Sequence, residues 1–239
     1  MYTKEQFAKL IDYTMLRPTA TGYDIVQFCK EAKRHHFAAA VVLPFWVPLA
    51  AKQLADSDGK LCTLIGFPHG ESLLATKVFE AKSAAQQGAD EIDVVINVGA
   101  LKSRDLDYVR KELTEIMGAV NIPGMTTDSN RTLVKVIIET PFLTQDEKLA
   151  FCQLVRDTGA DYIKTSTGSM PNGATVDDIK LIREVVGMTM GVKAAGGIRT
   201  CEHAVNLLDA GASRLGTSTG VSLLRSYDPE ELLKPAAKA

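Results

Sequence analysis

The feature that most restricts the fold of this chain is a regular alternation of short β-rich runs with longer runs of helical periodicity. Strands that alternate with helices predict a parallel sheet, because each helix returns the chain to the start of the next strand. Eight runs are expected to be strands: Leu10–Thr14, Ala39–Leu43, Cys62–Phe67, Glu91–Asn97, Val134–Glu139, Tyr162–Ser166, Gly191–Ala195 and Arg214–Thr217. Eight such units in 239 residues predict an α/β fold, a single-domain (β/α)8 TIM barrel over residues 1–239.

The residues between the strands carry helix signals. Apolar residues spaced at i, i+3 and i+4 predict four helices in particular: Asp24–His35, Ser72–Gln87, Glu147–Thr158 and Asp177–Val186. Candidate helix starts are Thr3-x-x-Gln6, for a short N-terminal helix, Thr144-x-x-Glu147, Thr175-x-x-Asp178, and Asp228-Pro229, for a last helix. Four glycines are expected to end helices: Gly88, Gly159, Gly187 and Gly211.

The main alternative fold is a doubly wound open sheet. That fold would place a glycine-rich phosphate loop after its first strand, and Thr14–Pro18 contains no glycine. No Gly/Ser-rich linker divides the chain. The barrel is therefore the favoured architecture.

Composition excludes several classes of protein. Apolar residues make up 46% and charged residues 23% of the chain, which is typical of globular domains rather than disordered or fibrous ones. A formal net charge of −2 does not favour a nucleic-acid or anionic-membrane partner. No apolar run approaches the roughly 20 residues of a membrane span. No secretory signal is recognisable, so a cytoplasmic location is expected.

The cysteines and histidines show no metal-binding pattern. The four cysteines are scattered without a CxxC pair, and the four histidines lack ligand spacing. Neither a metal site nor a disulfide framework is expected, and no cofactor is predicted.

Charged residues occur on strand faces that should point into the barrel. Alternation of side chains along the strands places Glu91 and Asp93 on one inner face, and Lys164 and Lys193 on two neighbouring strands. Barrel interiors are usually apolar. Repulsion between two buried lysines lowers the pKa of an amine, and a neutral lysine attacks carbonyls to form a Schiff base. A purely structural ion-pair network remains the alternative, above all for Lys135 and Glu139.

Two glycine-containing loops predict an anion site. Ala195–Arg199 follows the seventh strand and Gly216–Gly220 follows the eighth, where barrels of this kind bind phosphate. Thr165–Gly168, after the sixth strand, borders the same rim.

Several segments together resemble the deoxyribose-phosphate aldolases. They occur in family order from about Ile11 to about Ser218, which is nearly the whole chain. The segments are Ile11–Thr14, Ile65–Gly70, Glu91–Asn97, Ile163–Gly168, Val192–Arg199 and Arg214–Ser218.

The resemblance implies a metal-free class I aldolase that reversibly cleaves 2-deoxy-D-ribose 5-phosphate to D-glyceraldehyde 3-phosphate and acetaldehyde. Lys164 would form the Schiff base, Lys193 would lower its pKa, and Asp93 would handle protons with Lys193. The partners would be these small molecules and a second copy of the chain, as a homodimer. The predicted substrate- and phosphate-binding residues are Asp12, Thr14, Thr167, Gly168, Gly196, Gly197, Arg199, Gly216, Ser218 and Thr219.

The chain departs from the family pattern at three positions. Val41 and Leu43 stand where family members often carry Cys and Asn, and Ser169 stands where they carry an aromatic or basic residue. None of these positions belongs to the lysine chemistry. Two other functions remain open: another Schiff-base or phosphate-binding sugar-phosphate barrel enzyme, and a barrel that binds without catalysis.

Overall fold

A computed structural model describes residues 2–121 and 131–229 as a closed barrel of eight parallel strands. Each strand pairs with the next one in the sequence, and β8 pairs with β1 to close the barrel. This confirms the predicted (β/α)8 architecture. The strands are β1 (Ile11–Met15), β2 (Ala39–Val42), β3 (Lys60–Ile65), β4 (Glu91–Val95), β5 (Leu133–Ile137), β6 (Tyr162–Lys164), β7 (Gly191–Ala195) and β8 (Arg214–Thr217).

Helices surround the barrel and connect its strands. The α-helices of the described residues are α1 (Lys4–Ala8), α2 (Gly22–Arg34), α3 (Val47–Leu54), α4 (Leu74–Gln86), α5 (Val98–Lys102), α6 (Leu106–Val120), α7 (Gln145–Thr158), α8 (Val176–Val186), α9 (Cys201–Asp209) and α10 (Gly220–Ser226). Two short 3₁₀ helices, Pro44–Trp46 and Thr140–Phe142, follow β2 and β5. Within the described ranges, no helix is both long and apolar enough to cross a membrane.

Several predicted strands extended too far at their carboxyl ends. The strands predicted to reach Phe67, Asn97, Glu139 and Ser166 instead end two residues earlier. The backbone turns there, because Glu139 adopts a left-handed conformation with φ of 40° and Asn97 caps α5 by accepting a hydrogen bond from the Ala100 amide. The residues just beyond these strands therefore belong to the loops at the rim of the barrel.

The predicted helix boundaries are mostly confirmed. Reciprocal capping boxes form at Thr3 and Thr144. At Thr175 the box is incomplete: the hydroxyl accepts from the Asp178 amide, but the Asp178 carboxylate accepts a hydrogen bond from Lys148 instead. The four glycines predicted to end helices all have positive φ. The helix predicted after Asp228-Pro229 lies outside the described residues.

Apolar side chains form two layers. The large outer layer lies between the strands and the helices and includes Ile92, Val94, Ile163 and Val192, which alternate along their strands with the inward-facing charged residues. Inside the barrel the apolar cluster is small: Ala39, Val41, Cys62, Leu64, Val95 and Ile137. Its members come from β2 to β5, so the interior next to β6, β7, β8 and β1 is filled by other side chains.

The two ends of the described chain pack together. Phe7 on α1 stacks on Tyr227 after α10, with ring centroids 4.1 Å apart and an angle of 3° between the rings. Both rings are buried, and the Tyr227 hydroxyl donates a hydrogen bond to the Tyr2 carbonyl. This contact ties α1 to the last described helix.

Substituting Phe7→Ala is expected to lower the free energy of unfolding by about 3–5 kcal/mol, because it removes a buried aromatic ring and leaves a cavity against Tyr227. Denaturant unfolding followed by circular dichroism measures the loss. Met188→Ala, at an exposed position, is the control and should change stability by no more than about 0.5 kcal/mol. Equal effects of the two substitutions would contradict the prediction.

Candidate active site

Asp93 on β4 lies at the centre of a buried cluster of lysines. Its Oδ2 accepts hydrogen bonds from Lys164 Nζ at 2.8 Å and from Lys193 Nζ at 2.7 Å. Its Oδ1 accepts one from Lys135 Nζ at 2.9 Å. The strand register explains this arrangement, because Lys135 is the partner of Asp93 on β5 and Lys164 is the partner of Lys193 across β6 and β7. All four side chains are buried inside the barrel.

A second group of charges surrounds this cluster. Asp12 on β1 lies 2.5 Å from Lys193 Nζ and also accepts from Arg214 at 2.5 Å. Glu91 lies 2.6 Å from Lys135 Nζ and 3.3 Å from Arg214. The network thus holds three carboxylates, Asp12, Glu91 and Asp93, and four basic groups, Lys135, Lys164, Lys193 and Arg214. The charges balance when one of the four basic groups is neutral.

Lys164 is the group that gives up its proton most easily. Burial lowers the pKa of its amine and the charge of Lys193 lowers it further, against the opposing effect of Asp93. For Lys193, burial also disfavours the charged form, but Asp12 and Asp93 outweigh it and the pKa is raised. The pKa of the Lys164 amine is thus lowered while that of Lys193 is raised, and a lowered pKa is what a lysine needs to act as a nucleophile.

Asp93 remains a carboxylate. Burial alone would raise its pKa, but the charges of Lys135, Lys164 and Lys193 hold it well below the usual range. The Cys62 thiol donates a further hydrogen bond to Asp93 Oδ1 at 3.2 Å. One oxygen of Asp93 is thus fixed by Lys135 and Cys62, while the other bridges Lys164 and Lys193. That bridging oxygen can pass a proton between the two amines.

Lys135 and Glu139, the two residues considered for a structural ion-pair network, have different partners in the structure. Lys135 is fully buried, and although burial opposes it, the carboxylates around it raise its pKa well above the usual range. Its position beside Asp93 fits a fixed counter-ion rather than a nucleophile. Glu139 takes no part in this ion-pair network and instead accepts a hydrogen bond from the Thr167 amide at 3.1 Å. It holds the loop that follows Lys164.

A cavity of about 490 Å³ opens above Lys164 at the carboxyl ends of the strands. Eight of the residues predicted to bind substrate or phosphate line it: Thr14, Thr167, Gly168, Gly196, Gly197, Arg199, Gly216 and Ser218. The loops after β1, β6, β7 and β8 therefore meet around one space, as expected for neighbouring strands of a barrel.

Two of the residues predicted for this group do not line the cavity. Asp12 is completely buried beneath it, where it pairs with Lys193 and Arg214. The Thr219 hydroxyl instead donates to the Ile198 carbonyl at 3.3 Å, and its amide donates to the Thr217 hydroxyl. Thr219 thus joins the loops after β7 and β8 to each other.

Glycine is required where two of these loops touch. Gly196 has φ of +88°, and a Cβ atom on Gly173 would lie 2.0 Å from the Gly196 carbonyl oxygen. The loop after β6 can therefore pass directly over the loop after β7 only without side chains at this contact. Gly197, beside it, also has positive φ, which turns the backbone at the cavity wall.

Sequence reasoning missed three residues of the cavity wall, Met15, Leu16 and Arg17. Met15 is the last residue of β1 and the other two follow it, and β1 pairs with β8 when the barrel closes. The predicted barrel could have indicated them, because closing a barrel places the loop after the first strand beside the loop after the last strand, which was predicted to bind phosphate. These residues contain no glycine, and Arg17 lies beyond the end of the strand, so no local motif marked them.

Comparison with known proteins identifies the family of this chain. A profile of the DeoC/LacD family aldolases matches residues 7–227. The chain belongs to this family. The deoxyribose-phosphate aldolase of Thermoanaerobacter sp. (strain X514) is 48% identical over 221 residues, which cover 92% of this chain and 96% of that protein. The deoxyribose-phosphate aldolase of Thermococcus kodakarensis is 47% identical over 95% of this chain and 99% of its own length.

A solved structure of this family shares the fold. The deoxyribose-phosphate aldolase from Aeropyrum pernix, described as a unique tetrameric structure, superposes with a TM-score of 0.84 at 34% sequence identity. The match covers 94% of this chain and 92% of that one. The resemblance noted from the sequence is thereby confirmed at the level of the family.

The charges around Lys164 predict opposite changes in its reactivity. Lys193→Met removes a positive neighbour and should raise the pKa of Lys164, so that its amine becomes reactive only at higher pH. Asp93→Asn removes a negative neighbour and should lower that pKa. Reductive methylation with formaldehyde and cyanoborohydride across a pH series, followed by peptide mass spectrometry, measures the midpoint.

In the same samples the exposed Lys111 serves as the internal reference for reagent reactivity, because its environment is unchanged in both variants. Near-ultraviolet circular dichroism checks that each variant is folded. Midpoints that move in the same direction, or that do not move, would contradict the electrostatic account of Lys164.

Proposed function

We propose that this chain is a class I aldolase that reversibly cleaves 2-deoxy-D-ribose 5-phosphate to D-glyceraldehyde 3-phosphate and acetaldehyde through a Schiff base on Lys164. The observation that carries the proposal is a buried lysine with a lowered pKa at the cavity, its amine 2.8 Å from Asp93 Oδ2. Family membership and the names of the relatives support the substrate. The reaction belongs to the degradation of deoxyribose phosphates.

The first stage of the mechanism forms the Schiff base. The neutral Lys164 amine attacks the C1 aldehyde of the open-chain sugar, giving a carbinolamine. Loss of water, which needs a proton delivered to the hydroxyl, then yields the protonated imine. Asp93 Oδ2 contacts both Lys164 and Lys193, so a proton taken from one amine can be returned through the other.

The second stage breaks the bond between C2 and C3. A base removes the proton of the C3 hydroxyl, the C2–C3 electron pair moves to the imine nitrogen, and D-glyceraldehyde 3-phosphate leaves. The enamine that remains takes a proton at C2, and water releases acetaldehyde and restores Lys164. Asp93 and Lys193 are the pair proposed for these proton transfers, a contribution typically worth about 10²–10⁴-fold in rate.

The rim of the cavity suits the phosphate group. Gly196, Gly197 and Gly216 bring backbone close to the space, and Ser218 can donate its hydroxyl. Loops after the seventh and eighth strands are the usual phosphate site of this fold. Thr14, Thr167, Gly168 and Arg199 complete the proposed binding group. Asp12, below the cavity, is proposed to position Lys193 rather than to touch substrate.

The two other functions left open explain less of the site. Another Schiff-base or phosphate-binding sugar-phosphate barrel enzyme would account for the rim loops but not for the similarity to deoxyribose-phosphate aldolases over more than 90% of the chain. A binding barrel without catalysis gives no reason to depress the pKa of a buried amine. The cytoplasmic location, and the expectation that no metal or cofactor takes part, remain predictions.

Incubation with acetaldehyde or 2-deoxyribose 5-phosphate followed by borohydride reduction should attach the reduced carbon skeleton to Lys164. Intact-mass and peptide mass spectrometry measure the adduct and its position. The conservative control, Lys164→Met, should form no adduct at that site. No adduct in the unmodified chain, or an adduct on another lysine, would contradict the proposed function.

We also infer that the chain forms a homodimer, through an apolar surface of Phe45, Leu73 and Phe79. These side chains are 79%, 78% and 71% exposed and lie in two consecutive βα units: Phe45 follows β2, while Leu73 follows β3 and Phe79 is on the next helix, α4. Large apolar side chains grouped on a surface are characteristic of protein contacts.

Light scattering coupled to size-exclusion chromatography should give twice the 25.8 kDa of one chain. Phe79→Asp places a charge in the proposed contact and should shift the protein toward the monomer. Met188→Asp, at another exposed apolar position, is the matched control and should leave the mass unchanged. A monomer before any substitution, or equal shifts in both variants, would contradict the proposed surface.

A further inference from the structure

Arg17 lies in the cavity wall, although no sequence motif marked it. It follows β1, and the register of β1 with β8 pairs Asp12 with Gly216 and Tyr13 with Thr217. The loop after β1 therefore begins beside the loop after β8, which carries Ser218. Barrel closure thus brings Arg17 to the rim on which the proposed phosphate loops converge.

The charges of the cavity wall leave two cations for an anion. Among the described lining residues the basic side chains are Arg17, Lys164 and Arg199, and none of those residues is acidic. Lys164 already donates to Asp93 and is the proposed nucleophile. Since a phosphate monoester carries between one and two negative charges near pH 7, two arginines match the group.

The local sequence holds Arg17 at this place. Pro18 follows it and restricts its backbone, and the Ala20 amide donates to the Arg17 carbonyl at 3.0 Å, which closes a turn. Arg17 Nη2 lies 3.2 Å from Asp24 Oδ1. Asp24 is itself fixed at the start of α2, because its Oδ2 accepts from both the amide and the hydroxyl of Thr21 at 2.7 Å.

The contact with Asp24 orients the guanidinium and uses only part of its capacity to donate hydrogen bonds. A guanidinium has five N–H donors, and the pairing uses one of its nitrogens. The Arg17 side chain is 53% exposed, and solvent-exposed pairs of this kind hold their partners only weakly. Arginine can therefore turn its remaining donors toward a phosphate, for which its planar fork is well suited.

We propose that Arg17, steered by Asp24, binds the substrate phosphate together with Arg199 and sets the preference of this enzyme for phosphorylated over unphosphorylated sugars. This inference rests on the proposed function. It assigns a binding residue to the loop after β1.

Steady-state kinetics of Arg17→Met with 2-deoxyribose 5-phosphate and with 2-deoxyribose test the proposal. The ratio of kcat/KM for the phosphorylated over the unphosphorylated sugar should fall about tenfold or more, chiefly through a higher KM for the phosphorylated one. Arg34→Met removes the same charged group from the far end of α2 and should leave the ratio within about twofold of the original. An unchanged ratio in Arg17→Met would overturn the proposal.

Two further variants separate binding from local structure. Arg17→Lys keeps a positive charge and should retain part of the preference. Asp24→Asn keeps an oxygen that can cap α2 but removes the charge that steers Arg17, so it should lower the ratio less than Arg17→Met does. A loss in Asp24→Asn that equals or exceeds the loss in Arg17→Met would assign the effect to the start of α2 and overturn the role of Arg17.

A binding measurement keeps this test independent of the proposed activity. Inorganic phosphate should raise the melting temperature of the unmodified protein, and the rise should be smaller in Arg17→Met but not in Arg34→Met. If Lys164 forms a borohydride-trapped adduct but the phosphate effect is the same in all three proteins, Arg17 is not a phosphate ligand. If no adduct forms but the phosphate effect depends on Arg17, the proposed aldolase function fails while the anion site stands.

Discussion

The carboxylate of Asp93 organises the interior of this barrel. Its two oxygens contact three lysine amines on β5, β6 and β7, and all three lysines are buried. Without the negative charge of Asp93, three cations would be buried close together at a large electrostatic cost. With it, the amine that loses its proton most easily is the one with the fewest carboxylate contacts, which is Lys164.

The cluster explains why the barrel is filled in two ways. On the side of β2 to β5, small and branched apolar residues such as Ala39, Val41 and Leu64 pack in the usual manner. On the other side, ion pairs among Asp12, Lys193 and Arg214 take their place. A buried ion-pair network is a poor source of stability compared with apolar packing of the same volume. The network serves the chemistry proposed for Lys164. Apolar packing in the continuous layer between strands and helices supplies the stability that the network does not.

Much of the site could be predicted because strand geometry is regular. Once eight strands alternate with helices, the two-residue period alone places Asp93, Lys164 and Lys193 on inner faces and their apolar neighbours outside. The same reasoning brought the loops after β7 and β8 to one rim. It was less successful at strand ends, where Glu139 and Asn97 belong to turns although their composition continues the β pattern.

Other parts of the site depend on contacts between residues far apart in the chain. From the sequence, the Thr219 hydroxyl could bind an anion. In the structure two loops meet, and this hydroxyl donates a hydrogen bond to the Ile198 carbonyl instead. Arg17 shows the reverse, since only the closure of β1 onto β8 brings it to the cavity.

By itself the sequence determined the fold class, the family resemblance and the inward faces on which the lysines lie, because these follow from local periodicity and short motifs. Only the tertiary structure decided which carboxylate oxygen each amine contacts, that Lys135 rather than Glu139 joins the network, and which loops share the cavity. The physical reason is that these contacts depend on strand register and barrel closure, and the interaction of buried charges changes steeply over a few tenths of a nanometre.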